Sequence, residues 1–196
     1  MSESKAELRR RLRRLRREHV AALPGTARAL LFLRPPQAIV AAVPPSAVIG
    51  VYAESAHEAP ASRYAEWFFE RGHPVALPWF AERGAAMRFR AWNPFSPEPL
   101  ATGPYGIRQP PASAAEREPK VVFVPLLGFT AEGHRLGQGA GHYDRWLAGH
   151  PEATAFGLAW DCQRLTALPT EPHDRPLAAV ITPTRVYGSV APAPAR

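Results

Sequence analysis

Val121-Val122-Phe123-Val124, bounded by Lys120 and Pro125, is the most apolar strand candidate in the chain. A run of this length, built from β-branched and aromatic residues, reads as a buried strand. A long glycine-containing loop follows it, and a helix is expected from about Gly141 to Ala148. Ala155 to Trp160 and Ala178 to Thr182 supply two further strands, separated by a proline-rich loop at 169–176. Upstream, Ala47 to Ala53 reads as a strand and Ser62 to Arg71 as a helix ended by Gly72. Val75 to Leu77 then reads as a short strand closed by Pro78, so residues 47–78 form a right-handed βαβ unit. Met87 to Trp92 alternates as a half-exposed strand does, and the proline-rich residues 93–119 are expected to be an irregular connection. Strands alternating with helices predict a three-layer α/β/α fold, a single α/β domain with a mainly parallel sheet. That domain is expected over residues 1–183, with 184–196, which contain Pro192 and Pro194, as a frayed tail.

The N-terminal end is of another character. Lys5 to His19 contains no glycine or proline and spaces Leu8, Leu12 and Leu15 as one face of an amphipathic helix, with arginines around the rest. Ser4 or Ser2 is placed to cap it. A second helix is expected over Thr26 to Leu33, stopped by Pro35 and Pro36, while Ile39 to Val43 reads either way. The 196 residues carry 24 basic and 17 acidic side chains, a net charge of +7. Residues 1–18 hold eight basic and three acidic ones, or +5, which leaves +2 for the other 178. The excess charge therefore belongs to one helix rather than to a generally basic surface. A chain with 46% hydrophobic and 21% charged residues is not globally disordered. No uninterrupted apolar run reaches the roughly 18 residues of a membrane span, and the charged N-terminus lacks a secretory signal's apolar segment, so the expected compartment is the cytoplasm. The single cysteine, Cys162, can form no internal disulfide and has no base partner in sequence that marks a catalytic thiol.

The segment richest in chemistry is Gly133-His134-Arg135-Leu136-Gly137-Gln138-Gly139-Ala140-Gly141-His142-Tyr143-Asp144-Arg145-Trp146. Glycines at 137, 139 and 141 let backbone amides approach an anion where a helix begins with its unpaired N–H groups and positive dipole end. The spacing is that of neither a P-loop nor a dinucleotide fingerprint, and the ordinary alternative is a structural loop. Arg135 adds a cation. Asp144, one turn into the helix, is placed to bind Mg²⁺ directly or through water, or simply to favour the helix N-terminus. A second polar group, Glu171-Pro172-His173-Asp174-Arg175-Pro176, offers Asp174 as another metal-oriented carboxylate, or is a solvated turn. His142 and His173 stand in no paired-ligand motif, so a zinc site is not expected.

Lys5 and Arg9 are four apart on one helix face and can reach the same polyphosphate. The alternatives are a solvated basic face or nucleic-acid binding, and no aromatic stacking set accompanies the basic run. Glu58, in the loop after the first strand, can accept hydrogen bonds from an amino-heterocycle or be an ordinary surface glutamate. Tyr52, Trp79, Phe80, Phe89 and Trp92 are candidates for an aromatic pocket wall or for the core.

Taken in order, several stretches together resemble the 5-formyltetrahydrofolate cyclo-ligase (methenyltetrahydrofolate synthetase) family. They are Lys5-Ala-Glu-Leu-Arg9, Val75 to Pro78, Met87 to Trp92, Tyr105-Gly-Ile-Arg-Gln-Pro110, Val124 to Phe129, Arg135 to Asp144, Gly157 to Gln163 and Leu168 to Asp174. The resemblance implies a ligase of one-carbon metabolism that uses ATP and Mg²⁺ to convert 5-formyltetrahydrofolate into 5,10-methenyltetrahydrofolate. By the same resemblance, Lys5 and Arg9 contact ATP phosphates, and the stretch Arg135, Leu136, Gly137, Gln138, Gly139, Ala140, Gly141, His142 and Tyr143 wraps the nucleotide. Gln138 to His142 also border the folate. Arg135 and Tyr143 serve the reacting groups, Asp144 and Asp174 the metal, and Glu58 recognises the folate with Tyr52 and Ala53 beside it. The implied partners are small-molecule substrates, ATP and a reduced folate, with no nucleic acid and no membrane, and the expected state is a monomer.

The chain departs from the family pattern at Ala140, where Gly or Lys is common, and at His142, where an aromatic Tyr or Phe is. It departs again at Ala59, Pro60 and Ala61, where acidic and Thr residues are usual. The alternatives are therefore a diverged cyclo-ligase-like protein with another substrate or no activity, and, from a different class, a nucleic-acid-binding module using the Arg-rich helix.

Overall fold

A computed structural model describes residues 3–169 and 175–193. In chain order, α1 (Lys5–Ala22), α2 (Gly25–Leu30) and α3 (Gln37–Ala41) precede β1 (Ile49–Gly50), α4 (Ser62–Phe69), β2 (Val75–Trp79) and β3 (Arg88–Ala91). Short strands β4 (Ala101–Thr102), β5 (Arg108–Gln109) and β6 (Glu116–Arg117) lead to β7 (Val121–Pro125). Then come β8 (Gly128–Phe129), β9 (Arg135–Leu136), α5 (His142–Gly149), β10 (Thr154–Leu158), β11 (Ala179–Ile181) and β12 (Val186–Tyr187).

The central sheet runs β12-β11-β10-β7-β1-β2-β3-β6. Its five middle strands, β11 to β2, are parallel, and antiparallel strands close both edges. β7 is buried from Val121 to Val124 because its side chains alternate between two hydrophobic layers. Val121 and Phe123 join α1, α3 and α4 residues on one face, and Val122 and Val124 join Trp146 and Leu147 of α5 on the other. The first layer is the larger. Tyr64 and Phe68 of α4 pack on Phe123, and the fully buried Trp160 donates its indole N–H to the His57 carbonyl at 3.0 Å. Each such aromatic stabilises the fold by roughly 1.5–3 kcal/mol through burial alone. This is a single α/β domain with a mixed, mainly parallel sheet between helices.

Local chemistry explains the helix ends. Ser4 and Glu7 form a reciprocal capping box at the start of α1, which contributes about 1 kcal/mol. Leu8 and Leu12 are buried against Leu127 and Leu136, so the leucine face seals the helix onto the loop that follows β7. The second helix is shorter than expected, Gly25–Leu30, and the ambiguous stretch is helical as Gln37–Ala41, begun by Pro36 at the cap.

Two expectations need correction. Pro78 lies inside β2 rather than closing it. The Ala76 carbonyl faces β1, where it accepts from Val51 N, so the nitrogen two residues on faces the same way. There β1 has already ended, and no ladder bond is lost for want of an N–H. Residues 93–119 are not merely irregular: β4 and β5 form a hairpin and β6 extends the sheet beyond β3. In the stretch expected as a tail, β12 pairs with β11 and Ala193 N donates to the Ala41 carbonyl at 2.9 Å.

Candidate active site

The order of the parallel strands reverses between β1 and β7: the chain passes from β1 to β2 on one side and later fills β7, β10 and β11 on the other. Loops leaving the carboxyl ends of β1 and β7 diverge there and open a crevice, the usual place for a ligand in such sheets. A cavity of about 1100 Å³ occupies it. Every described residue assigned above by resemblance lines this cavity: Lys5 and Arg9 from α1, Tyr52, Ala53 and Glu58 after β1, and Arg135 to Asp144. Asp174 lies outside the described residues, as do Glu171 and His173.

The glycine loop joins the β8–β9 hairpin to α5. Gly139 has φ +114° and Gly141 φ +65°, left-handed conformations that glycine adopts without a Cβ penalty. Gly141 is the N-cap of α5 and no side chain among the described residues caps the helix, so its first amides are left to the cavity side. The first helix ties this loop down. Arg9 Nε donates to the Gly137 carbonyl at 3.1 Å, and Arg13 donates to the Gln138 side-chain and main-chain oxygens at 3.0 and 3.1 Å.

Arg135 is held from two sides: one guanidinium nitrogen pairs with the Asp144 carboxylate, and the other donates to the Arg175 carbonyl at 2.7 Å. Arg175 in turn caps the end of α5 through the Leu147 and Pro151 carbonyls. Beside this group, desolvation first and the Glu58 charge second hold the Tyr143 phenol well above its ordinary range, so it stays a hydrogen-bond donor at neutral pH. In the loop after β1, Tyr52 donates to the Ala59 carbonyl at 2.6 Å, and Glu58 accepts from Ser55 N at 2.8 Å. Glu54 binds Ser62 at the start of α4 and closes this loop.

Tyr105, expected only in an irregular stretch, sits at the tip of the β4–β5 hairpin with φ +62°. Its hydroxyl accepts from Gly84 N at 2.7 Å, and its ring lies 5.7 Å from Phe80 and 5.2 Å from His142. Gln109 fixes the hairpin by bonding both the N–H and the C=O of Phe80 at 3.1 Å. The aromatic wall is therefore Tyr52, Phe80 and Tyr105. Of the other candidates, Phe89 packs on Trp146, Trp92 joins the larger core layer and Trp79 lies under Arg90. The signal for Tyr105 was its place between two glycines in the stretch Gly103 to Gly106.

His142 packs edge-on to Phe80 at 4.7 Å, and its Nδ1 accepts from Arg145 at 3.0 Å. Desolvation, then the Arg145 charge, lowers the imidazole from its ordinary 6.5. The folded state thus binds the proton more weakly than the unfolded chain, and stability is lost as pH falls through about 6.5 toward the lower folded value. His142→Phe removes that loss. The melting temperature of wild type should fall further than that of the variant between pH 8 and pH 5; equal falls contradict the assignment.

Among the described residues, no three His, Cys, Asp or Glu side chains form a metal-binding group. Mg²⁺ needs no such cage, since it commonly rides on nucleotide phosphates with one or two carboxylates and water. Asp144, a hard oxygen donor at the cavity wall beside the glycine loop, fits that role. Cys162 is absent from the cavity wall, and burial pushes its thiol up to about 11. No helix among the described residues is long and apolar enough to cross a membrane.

Known proteins place the chain further. A 5-formyltetrahydrofolate cyclo-ligase of Mycolicibacterium smegmatis is 40% identical over 100 residues, 48% of this chain and 51% of that one. That of Escherichia coli is 45% identical over 69 residues, 34% of this chain and 38% of that one. The aligned stretches thus span about half, or less, of these curated relatives. The solution structure of Aquifex aeolicus 5,10-methenyltetrahydrofolate synthetase shares the fold, with a TM-score of 0.62 at 24% identity over 94% of this chain and 92% of that one. A Mycoplasma pneumoniae 5,10-methenyltetrahydrofolate synthetase does so with a TM-score of 0.62 at 21% identity, covering 91% and 98%. The description "5-formyltetrahydrofolate cyclo-ligase family" belongs to a model that matches residues 1–183, from before the cap of α1 to just past β11, and the chain is a member of that family.

Proposed function

We propose that this protein is a monomeric enzyme that converts 5-formyltetrahydrofolate and ATP into 5,10-methenyltetrahydrofolate, ADP and phosphate. The observation that carries the reading is the convergence, in one 1100 Å³ crevice, of a cationic helix face, an amide-rich glycine loop and the Glu58 loop. The first two suit a polyphosphate; a carboxylate flanked by aromatic rings suits an amino-heterocycle.

The chemistry calls for those groups. A formyl amide oxygen is a weak nucleophile and a poor leaving group. Its attack on the γ-phosphorus of ATP expels ADP and leaves an iminium phosphate. N10 of the folate then adds to the formyl carbon, and loss of phosphate with the N10 proton leaves the conjugated methenyl bridge. Lys5, Arg9 and Arg135 stabilise charge on the transferring phosphoryl group, and the amides from Gly137 to His142 hold it in line. Tyr143, kept protonated, donates to an anionic oxygen. Asp144 and Asp174 would hold Mg²⁺, which would supply charge neutralisation on the phosphates. Positioning is the main contribution, and no covalent enzyme intermediate is needed.

The departures from the family pattern fall in two places. Ala59 and Ala61 are buried in the larger core layer and Pro60 does not line the cavity, whereas Ala140 and His142 do. Any change of substrate is therefore expected from the latter pair. The test is an ATP- and Mg²⁺-dependent rise in near-ultraviolet absorbance on adding 5-formyltetrahydrofolate, with ADP measured in parallel. A rise matched by equimolar ADP is expected. ATP binding without a rise would point to the diverged relative instead.

A further inference from the structure

Lys5, Arg9, Arg13 and Arg16 stand at intervals of four, four and three along α1 and so share one edge of the helix. Arg9 and Arg13 hold the glycine loop, but Arg16 reaches a different element. Its Nη1 lies 3.5 Å from Glu58 Oε1, with only 8% of the Arg16 side chain and 13% of the Glu58 side chain exposed. The second oxygen of Glu58 takes the Ser55 amide at 2.8 Å. Glu58 lines the cavity and Arg16 does not, so the cation stands behind the carboxylate.

A guanidinium this deeply buried is costly unless its donors are used, and Arg16 Nε has no hydrogen-bond partner among the described residues. The pair is therefore poor at satisfying Arg16, and its one evident product is the placement of Glu58. We propose that Arg16 is a positioning residue: with the Ser55 amide, it fixes the Glu58 carboxylate at the cavity wall so that two oxygens meet the paired N–H donors of the ligand's amino-heterocycle. The helix whose N-terminal end serves the phosphates thus also sets the recognition group for the second substrate. This rests on the folate reading of the cavity given above.

The test is a double-mutant cycle with Arg16→Met, Glu58→Gln and both together, plus Arg16→Lys, reading dissociation constants for 5-formyltetrahydrofolate and for ATP separately. Unfolding midpoints of the same ligand-free proteins are measured alongside. Arg16→Met should weaken folate binding about tenfold or more and leave ATP binding within about twofold, and Arg16→Lys should recover most of the loss. In the Glu58→Gln background, Arg16→Met should cost little more, and the unfolding midpoints should be non-additive. Should Arg16→Met fail to fold, folding restored by Glu58→Gln reports the same coupling, and failure in both overturns the proposal. Wild-type folate affinity in Arg16→Met, or an undiminished loss in the Glu58→Gln background, also overturns it. If wild type itself does not bind 5-formyltetrahydrofolate, the functional reading fails instead. The unfolding cycle then decides alone: additive midpoints overturn the positioning role, and coupled ones retain it for another ligand.

Discussion

Replacing Arg135 by methionine is expected to lower turnover by about 10²–10³-fold, the usual consequence of removing one preorganised donor from a developing charge. The side chain is only 6% exposed, yet it lines the cavity. The Asp144 carboxylate and the Arg175 carbonyl hold the guanidinium before any ligand arrives, so little reorganisation remains for the reaction to supply. Methionine keeps much of the aliphatic volume, and Asp144 is 33% exposed, so water can solvate the carboxylate left behind. The loss should therefore appear in kcat with an ordinary melting temperature. Initial rates at saturating ATP and 5-formyltetrahydrofolate measure it, and turnover within tenfold of wild type would take Arg135 out of the reacting group.

Asp144→Ala should act on a different variable. It removes a carboxylate that lines the cavity beside the glycine loop, and the Mg²⁺ concentration for half-maximal rate is expected to rise about 10–100-fold, the range found when metal-site partners are lost. The KM for the folate should change little, because Glu58 and Tyr52 come from the loop after β1 rather than from α5. Asp144 also holds the Arg135 guanidinium, so turnover should fall in this variant as well, and the shifted Mg²⁺ dependence is what separates the two substitutions. An unchanged Mg²⁺ dependence would assign the metal to other carboxylates. Together the two variants distinguish a group that stabilises the phosphoryl transfer from one that loads the nucleotide with its metal.

Much of this molecule is legible in one dimension. The run Val121 to Val124 alternates between two buried layers, and the leucines at 8, 12 and 15 announce a helix face, because periodic burial is written directly into side-chain type. Gly139 and Gly141 are legible for a similar reason, since left-handed backbone at a helix start demands glycine locally. The β4–β5 hairpin was not legible: two-residue strands carry no period, and Tyr105 is placed at the cavity by distant contacts, Gln109 docking the hairpin on Phe80 and Gly84 N donating to the Tyr105 hydroxyl. Trp79, Phe89 and Trp92 resembled pocket residues for want of any sequence signal separating an aromatic wall from an aromatic core.

The same limit applies to the arginines of α1. The sequence by itself determined that this end of the chain is a cationic amphipathic helix, that strands and helices alternate into a parallel sheet, and that a glycine loop opens the helix after the hairpin. Only the tertiary structure decided which arginine is buried and what it faces. Arg16 is chemically identical to its neighbours, and its role is set by a carboxylate 42 residues away that the crevice beside β1 brings to 3.5 Å. Local propensities act over a turn or a strand, whereas a charge partner is chosen by the packing of elements far apart in sequence.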